Sequence, residues 1–300
     1  MRRWGLAVLG LALGASAWAS GLSQRFCDGD ASRLSTADQD RLLRFAAVVR
    51  EELGRSSAPV ALIGRAGLNL ARWGVRYSHA GLALSSHPDA PWTVRQLYYA
   101  CGEGRPRVFD QGVAGFVFGT NDAERGFVSL LFIDGEAGER LQAQALDREQ
   151  ALRVLHPRYS ANAHPFSTQF QNCNQWVAEL MALAWGPLDP LEPPREAAQR
   201  WLQASGFQPQ AVSAGSRAWL WVARAFVPWI HFSDHPKTDW AQAQVRTTLP
   251  ADVAAWVQQR QPETPRVELC HTRTQVVVRR DGPPLSEACE AQDGDRVVPL

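Results

Sequence analysis

The sequence predicts an α+β fold in which an antiparallel sheet packs against helices, with a helical extension toward the C-terminus. Two observations carry that expectation. Short apolar runs of strand type cluster between residues 59 and 133, joined by connections mostly too short for crossover helices. The last third instead shows helical stretches near residues 194–204, 216–230 and 250–259. A chain of 300 residues has ample length to bury a core, as one large or two modest domains.

At the N-terminus, Arg2 and Arg3 precede an apolar run from Trp4 to about Leu13 and then the small-residue segment Ala17, Trp18, Ala19. This is the layout of a secretory signal peptide over residues 1–19. The apolar run is too short for a spanning anchor, so no transmembrane segment is expected once the signal is removed. Cys27 lies beyond the small-residue site, which disfavours a lipid anchor there. The protein is therefore expected to be exported, to the periplasm if the organism has an outer membrane and otherwise to the medium.

Residues 20–54 form an N-terminal helical segment. Its helix runs over residues 35–53, capped by Ser35 or Thr36, striped by Leu42, Leu43, Ala46, Val49 and Leu53, and ended by Gly54. A core over residues 55–186 follows. Residues 59–63 read as a strand, 64–67 as a turn and 68–73 as about two helical turns. Residues 77–84 and 92–101 read as strands joined by a polar loop, and 127–133 as a further buried strand. A short helix over 147–155 and a loop over 157–171 lead to Cys173.

The extension over residues 187–262 contains the most hydrophobic stretch of the mature chain, residues 219–232. With Arg224 and Pro228 inside, it is too short to span a bilayer. Its aromatic face is expected to pack on the core, with an acyl pocket or a membrane surface as alternatives. Residues 263–300 alternate in strand fashion through Val276, Val277 and Val278, as a small β appendage.

The formal net charge is +1, with 20% charged residues, so nothing points to nucleic acid. Neither a phosphate-cradling glycine loop nor a dinucleotide fingerprint is present, and no cofactor is expected. The five cysteines are an odd number for an exported chain, so one thiol is left over. Pairing Cys270 with Cys289 and Cys27 with Cys101 leaves Cys173 free.

Cys173 opens an amphipathic helix marked by Trp176, Val177, Leu180, Met181 and Ala184 and closed by Gly186 and Pro187. Unpaired N–H groups at a helix start favour a thiolate, and a thiolate is a nucleophile. Such a nucleophile needs a base. Of seven histidines, His79 is the preferred one, because it opens a strand whose next residues are small and apolar and include Gly81. His231 and His235 are the runners-up, while His87, His156 and His164 read as solvated loop residues. A metal site built on His79 and Cys173 lacks an evident third ligand, and none is expected.

The stretch Tyr-Ser-His-Ala-Gly-Leu-Ala-Leu at residues 77–84, followed by Asn-Cys-Asn-Gln-Trp-Val at 172–177, resembles the circularly permuted branch of the NlpC-type papain-like superfamily. It also resembles a family of exported bacterial proteins of unknown function that shares this pairing. The resemblance covers residues 55–185. It implies Cys173 as nucleophile, His79 as base and a third polar residue on the next strand. There Gln96 is preferred and Tyr98 is the alternative, where the superfamily commonly has His or Glu. The oxyanion would be held by the Cys173 backbone N–H with Asn172 or Gln171. The implied activity is that of a cysteine-dependent hydrolase or acyltransferase acting on an amide or ester, with cell-wall peptide or lipid as candidate substrates. A binding module that has lost catalysis is the alternative.

Overall fold

The computed structural model describes residues 34–68, 70–100, 102–120, 122–227 and 229–300. The expected signal peptide, Cys27 and Cys101 lie outside the described residues. The architecture is mixed α+β, built on one eight-stranded antiparallel sheet. Helix α1 (Thr36–Gly54) leads in, with Ser35 as its N-cap accepting from the Asp38 N–H. Then come β1 (Val60–Arg65), β2 (His79–Leu84), β3 (Thr93–Ala100), β4 (Arg105–Gln111), α2 (Val113–Phe118) and β5 (Gly126–Ile133). Helices α3 (Gly135–Leu146) and α4 (Arg148–Arg153) precede α5 (Cys173–Trp185). After α6 (Pro194–Ala204), a small β6 (Ala211–Ser213) pairs with β7 (Gln244–Arg246) around α7 (Arg217–Phe226) and α8 (Lys237–Ala241). The chain closes with α9 (Pro250–Arg260), β8 (Arg266–His271), β9 (Gln275–Arg280) and β10 (Arg296–Pro299).

The order across the sheet is β10-β9-β8-β5-β1-β2-β3-β4, so β1 and β2 are central and carry no exposed residue. Side chains alternate between the two faces. Val60, Leu62, Ala80, Leu82 and Leu84 pack against α3, α5 and α9 through Leu141, Trp176, Leu180 and Trp256. Ala61, Ile63, Ala83 and Val94 pack on the other face against α1 and α2 through Leu42, Phe45, Val49 and Phe116. The result is three layers with the sheet in the middle.

Several expectations are corrected here. The C-terminal segment is no separate appendage: β8 pairs with β5 and prolongs the main sheet, and Val267, Leu269, Val276 and Val278 join the core shared with α1. Its disulfide between Cys270 and Cys289 is present, with Cα atoms 5.8 Å apart. Helix α9 likewise belongs to the central core, because Val253, Trp256 and Val257 are buried against α5. Strand β4 and helices α2 and α3 are additional elements, and of the helical turns expected over residues 68–73 the described residues show a 3-10 turn at Ala71–Trp73. The aromatic stretch also departs from expectation: Leu220 is the buried residue of α7, while Trp219, Trp221 and Phe226 are exposed. Among the described residues, no helix is long and apolar enough to cross a membrane.

Candidate active site

Residue Cys173 occupies the first position of α5, behind the N-cap Asn172, whose side chain accepts from the Gln175 N–H at 2.7 Å. The thiol is buried and is the free cysteine among the described residues. Its sulfur meets the backbone N–H groups of Asn174 and Ala80, and the Asn174 Oδ1 at 3.5 Å. Ala80 is the residue after His79, so α5 delivers the thiol from one face of the sheet to the very start of β2. His79 stands on the opposite face by strand alternation, with its ring 5.7 Å from that of Phe116 in α2.

The ladder between β2 and β3 runs from Leu84↔Thr93 to Leu82↔Arg95, whereas β3 stays paired with β4 as far as Ala100. The β2–β3 ladder therefore stops at Leu82, one residue short of Gly81, which still lies close against β3. A Cβ on Gly81 would stand 2.7 Å from Val94 Cγ1 and 3.0 Å from the Arg95 carbonyl, so only glycine permits this approach. His79 Nε2 and Gln96 Oε1 are 2.6 Å apart, and Gln96 Nε2 donates to Gln111 Oε1 at 2.7 Å. With the Gln96 amide nitrogen so engaged, its oxygen accepts from Nε2–H of His79. Nδ1 is then the ring atom left to take a proton. Tyr98, the alternative third residue, meets His79 edge-on with ring centroids 6.3 Å apart. Gln96 is thus a hydrogen-bonding partner of His79.

Two side chains at this site were not foreseen. Arg65 ends β1 directly opposite His79 in the register, is buried, donates to the Gly119 carbonyl and lies over the Phe116 ring at 5.3 Å. Burial lowers its pKa to about 10, and the groups that oppose this are Tyr98 and Cys173. Arg65 is therefore a buried cation close enough to Tyr98 and Cys173 to favour a negative charge on either. Tyr159, in the loop before α5, hydrogen-bonds with the Cys173 side chain and has its own pKa raised, first by burial. An arginine ending an otherwise apolar strand between Gly64 and Gly67 was a visible signal for the first. Tyr159 in its loop carried none.

The electrostatics differ from the lowered thiol pKa that a helix start suggests. Burial pushes the Cys173 thiol up to about 11, outweighing Arg65 and the nearby backbone N–H groups. Burial and then Arg65 push His79 down to about 3, with Gln96 opposing. At neutral pH the resting pair is an uncharged thiol and an uncharged imidazole. His271, buried beside Phe45, is likewise lowered to about 4 by burial. In the unfolded chain such rings protonate near 6.5, so as pH falls below that value the unfolded state binds more protons than the folded one. Stability from these two histidines is present in full above about pH 6.5 and declines toward pH 3. Urea midpoints are accordingly expected to be lower at pH 4 than at pH 7, and to differ less in His271→Gln; equal midpoints in the unmodified chain would contradict this.

The amides of Asn172 and Gln171 are committed elsewhere. Gln171 Nε2 donates to the Val154 carbonyl at 2.7 Å and to Glu179 Oε2 at 2.6 Å. Asn172 Nδ2 donates to Thr247 Oγ1 at 2.8 Å and lies 3.3 Å from the Ala161 and Thr248 carbonyls. Neither has a donor left for an oxyanion, because a buried amide must satisfy its own N–H groups first. The runner-up histidines are also placed. His231 stacks on Phe170 at 4.6 Å, and His235 Nε2 is 2.8 Å from the Asn162 carbonyl. His87 proves buried rather than solvated, 3.1 Å from Asp110. With Asp89 these two form the candidate metal cluster among the described residues. Arg95 already forks onto Asp110 with two contacts of 2.7 Å, which supplies the positive charge a metal would bring.

Residues 52–257 match the family described as "Uncharacterized protein conserved in bacteria (DUF2145)". The chain belongs to that family. No curated protein and no solved structure matches it. The DUF2145 match begins near the end of α1 and stops within α9, so it takes in Arg65, His79, Gln96, Tyr159 and Cys173 together. The β8–β10 strands and the Cys270–Cys289 bridge lie outside it.

Proposed function

We propose that this DUF2145 protein is an exported, papain-like, cysteine-dependent hydrolase or acyltransferase that forms an acyl-enzyme on Cys173. The observation that carries the reading is the 2.6 Å bond from His79 Nε2 to Gln96 Oε1, which orients a neutral imidazole beside the strand residue that faces the free thiol. An amide as orienter is the arrangement of Cys-His-Asn enzymes. His79 and Cys173 approach the start of β2 from opposite faces of the sheet and meet around that strand end, where His79 Nδ1 takes the thiol proton as sulfur attacks the carbonyl and Arg65 balances the charge that develops on sulfur. The oxyanion is held by the N–H groups at the start of α5 and by the Tyr159 hydroxyl. His79 then returns the proton to the leaving amine or alcohol, and water or another acceptor releases the acyl group. Because both groups rest uncharged, deprotonation accompanies attack instead of preceding it.

Buried Cys173 and its raised pKa favour a second reading, a binding module without catalysis. Activated acyl esters of differing chain length separate the two. A stoichiometric acyl adduct on Cys173 by intact mass, absent in Cys173→Ala, is expected; no adduct with any ester would leave only the binding module.

A further inference from the structure

Helix α7 is a ten-residue segment with its apolar side turned to solvent. Trp219 is 53% exposed, Trp221 61%, Val222 45% and Phe226 50%. Large apolar side chains gathered on one short helix in this way mark an interaction surface. The charge around them has one sign. Residues 197–233 contain no Asp or Glu, while Arg217 and Arg224 lie in the helix and Arg72 reaches in from the β1–β2 connection, 5.2 Å over the Trp219 ring. A groove at the C-terminal end of α7 is lined by Arg224, His231, Lys237 and Trp240 among others, again without a carboxylate.

We propose that α7 docks the protein on an anionic lipid bilayer, with Trp219, Val222 and Phe226, which share one side of the helix, at acyl depth, and with Trp221, Arg72, Arg224 and Lys237 at the level of the lipid phosphates. Tryptophan and arginine interleaved on a short amphipathic helix suit the headgroup boundary, where an apolar ring and a cation find their partners side by side. A second copy fits less well, since an isologous contact through this face would set the arginines of the two chains against each other. The surface adjoins the candidate active site: after α7 the chain reaches Trp229, whose ring is 6.3 Å from Tyr99, and Tyr99 stacks at 5.1 Å on Tyr159. A docked molecule therefore presents its Tyr159 wall near the lipid surface. The inference does not require Cys173 to be catalytic.

Co-sedimentation with vesicles tests it, using the chain from Ser20 onward so that the apolar N-terminal run cannot itself insert. Binding is expected to vesicles of phosphatidylcholine mixed with phosphatidylglycerol and to be weaker with phosphatidylcholine alone. Trp219→Ser combined with Trp221→Ser, and separately Arg224→Gln with Lys237→Gln, are each expected to weaken binding by about tenfold or more with unchanged circular dichroism. Equal binding by wild type and both variants, or no binding to either vesicle, would overturn the proposal. A wild-type dimer that the tryptophan variant converts to monomer would overturn it too, by assigning the face to a second copy.

Discussion

Replacing Glu179 by alanine is expected to destabilise the fold by about 3–5 kcal/mol. Glu179 is fully buried in the second turn of α5 and is met from four directions. Arg195 donates through Nε at 2.8 Å and Nη2 at 3.0 Å, Gln199 at 2.7 Å and Gln171 at 2.6 Å. The same guanidinium holds the Thr168 carbonyl at 3.1 Å and the Phe170 carbonyl at 3.0 Å, fastening the loop that delivers Cys173. Without the carboxylate, a buried cation and two amides lose their partner together, which is why the loss is large. Pairing Glu179→Leu with Arg195→Met removes both charges and is expected to recover much of the stability. Urea denaturation decides it, and a loss below about 1 kcal/mol for Glu179→Ala would contradict this clamp.

Removing the charge of Arg65 is expected to slow alkylation of Cys173 near neutral pH by about tenfold, the effect of one unit in thiol pKa. Arg65→Met keeps most of the volume over the Phe116 ring but takes away the cation that opposes burial at the sulfur. The thiol, already at about 11, then moves further up, and negative charge developing on sulfur during attack loses its compensation. Arg65→Lys is expected to restore part of the rate, since a charge survives without the contact to the Gly119 carbonyl. A rate unchanged in Arg65→Met would show that the arginine serves packing alone.

How much of this was legible in the chain depended on whether the signal was local. Cys173 was readable as the opening of a helix, because the start of an apolar period after a polar run is decided within a few positions. Alternation along one strand puts Gln96 and Tyr98 on the same face, and in the structure the hydrogen bond to His79 falls to Gln96. Strand β4 was hidden by its own protection. Arg105, Pro106 and Arg107 are residues that keep an edge strand from pairing further, and they read as loop. Helix α3 was obscured because only Gly138, Leu141 and Ala145 are buried, too thin a stripe to stand out. The raised thiol pKa was out of reach because burial of Cys173 comes from the sheet beneath it, while the sequence shows only the helix that carries it. The exposure of α7 was unreadable for the same reason in reverse: an apolar face states no partner, and among the described residues Trp219, Trp221 and Phe226 stay exposed.

The pairing of His79 with Cys173 is the centre of this account, and the rate of Cys173 acylation by an activated acyl ester is the measurement closest to it. With the imidazole at about 3 and the thiol at about 11, the rate is expected to stay nearly flat between pH 5 and pH 9. It is expected to fall by about tenfold or more in His79→Ala, less than a base matched to the operating pH would supply, because this imidazole lies at about 3. Acylation of Cys173 at the same rate with and without His79 would contradict the account.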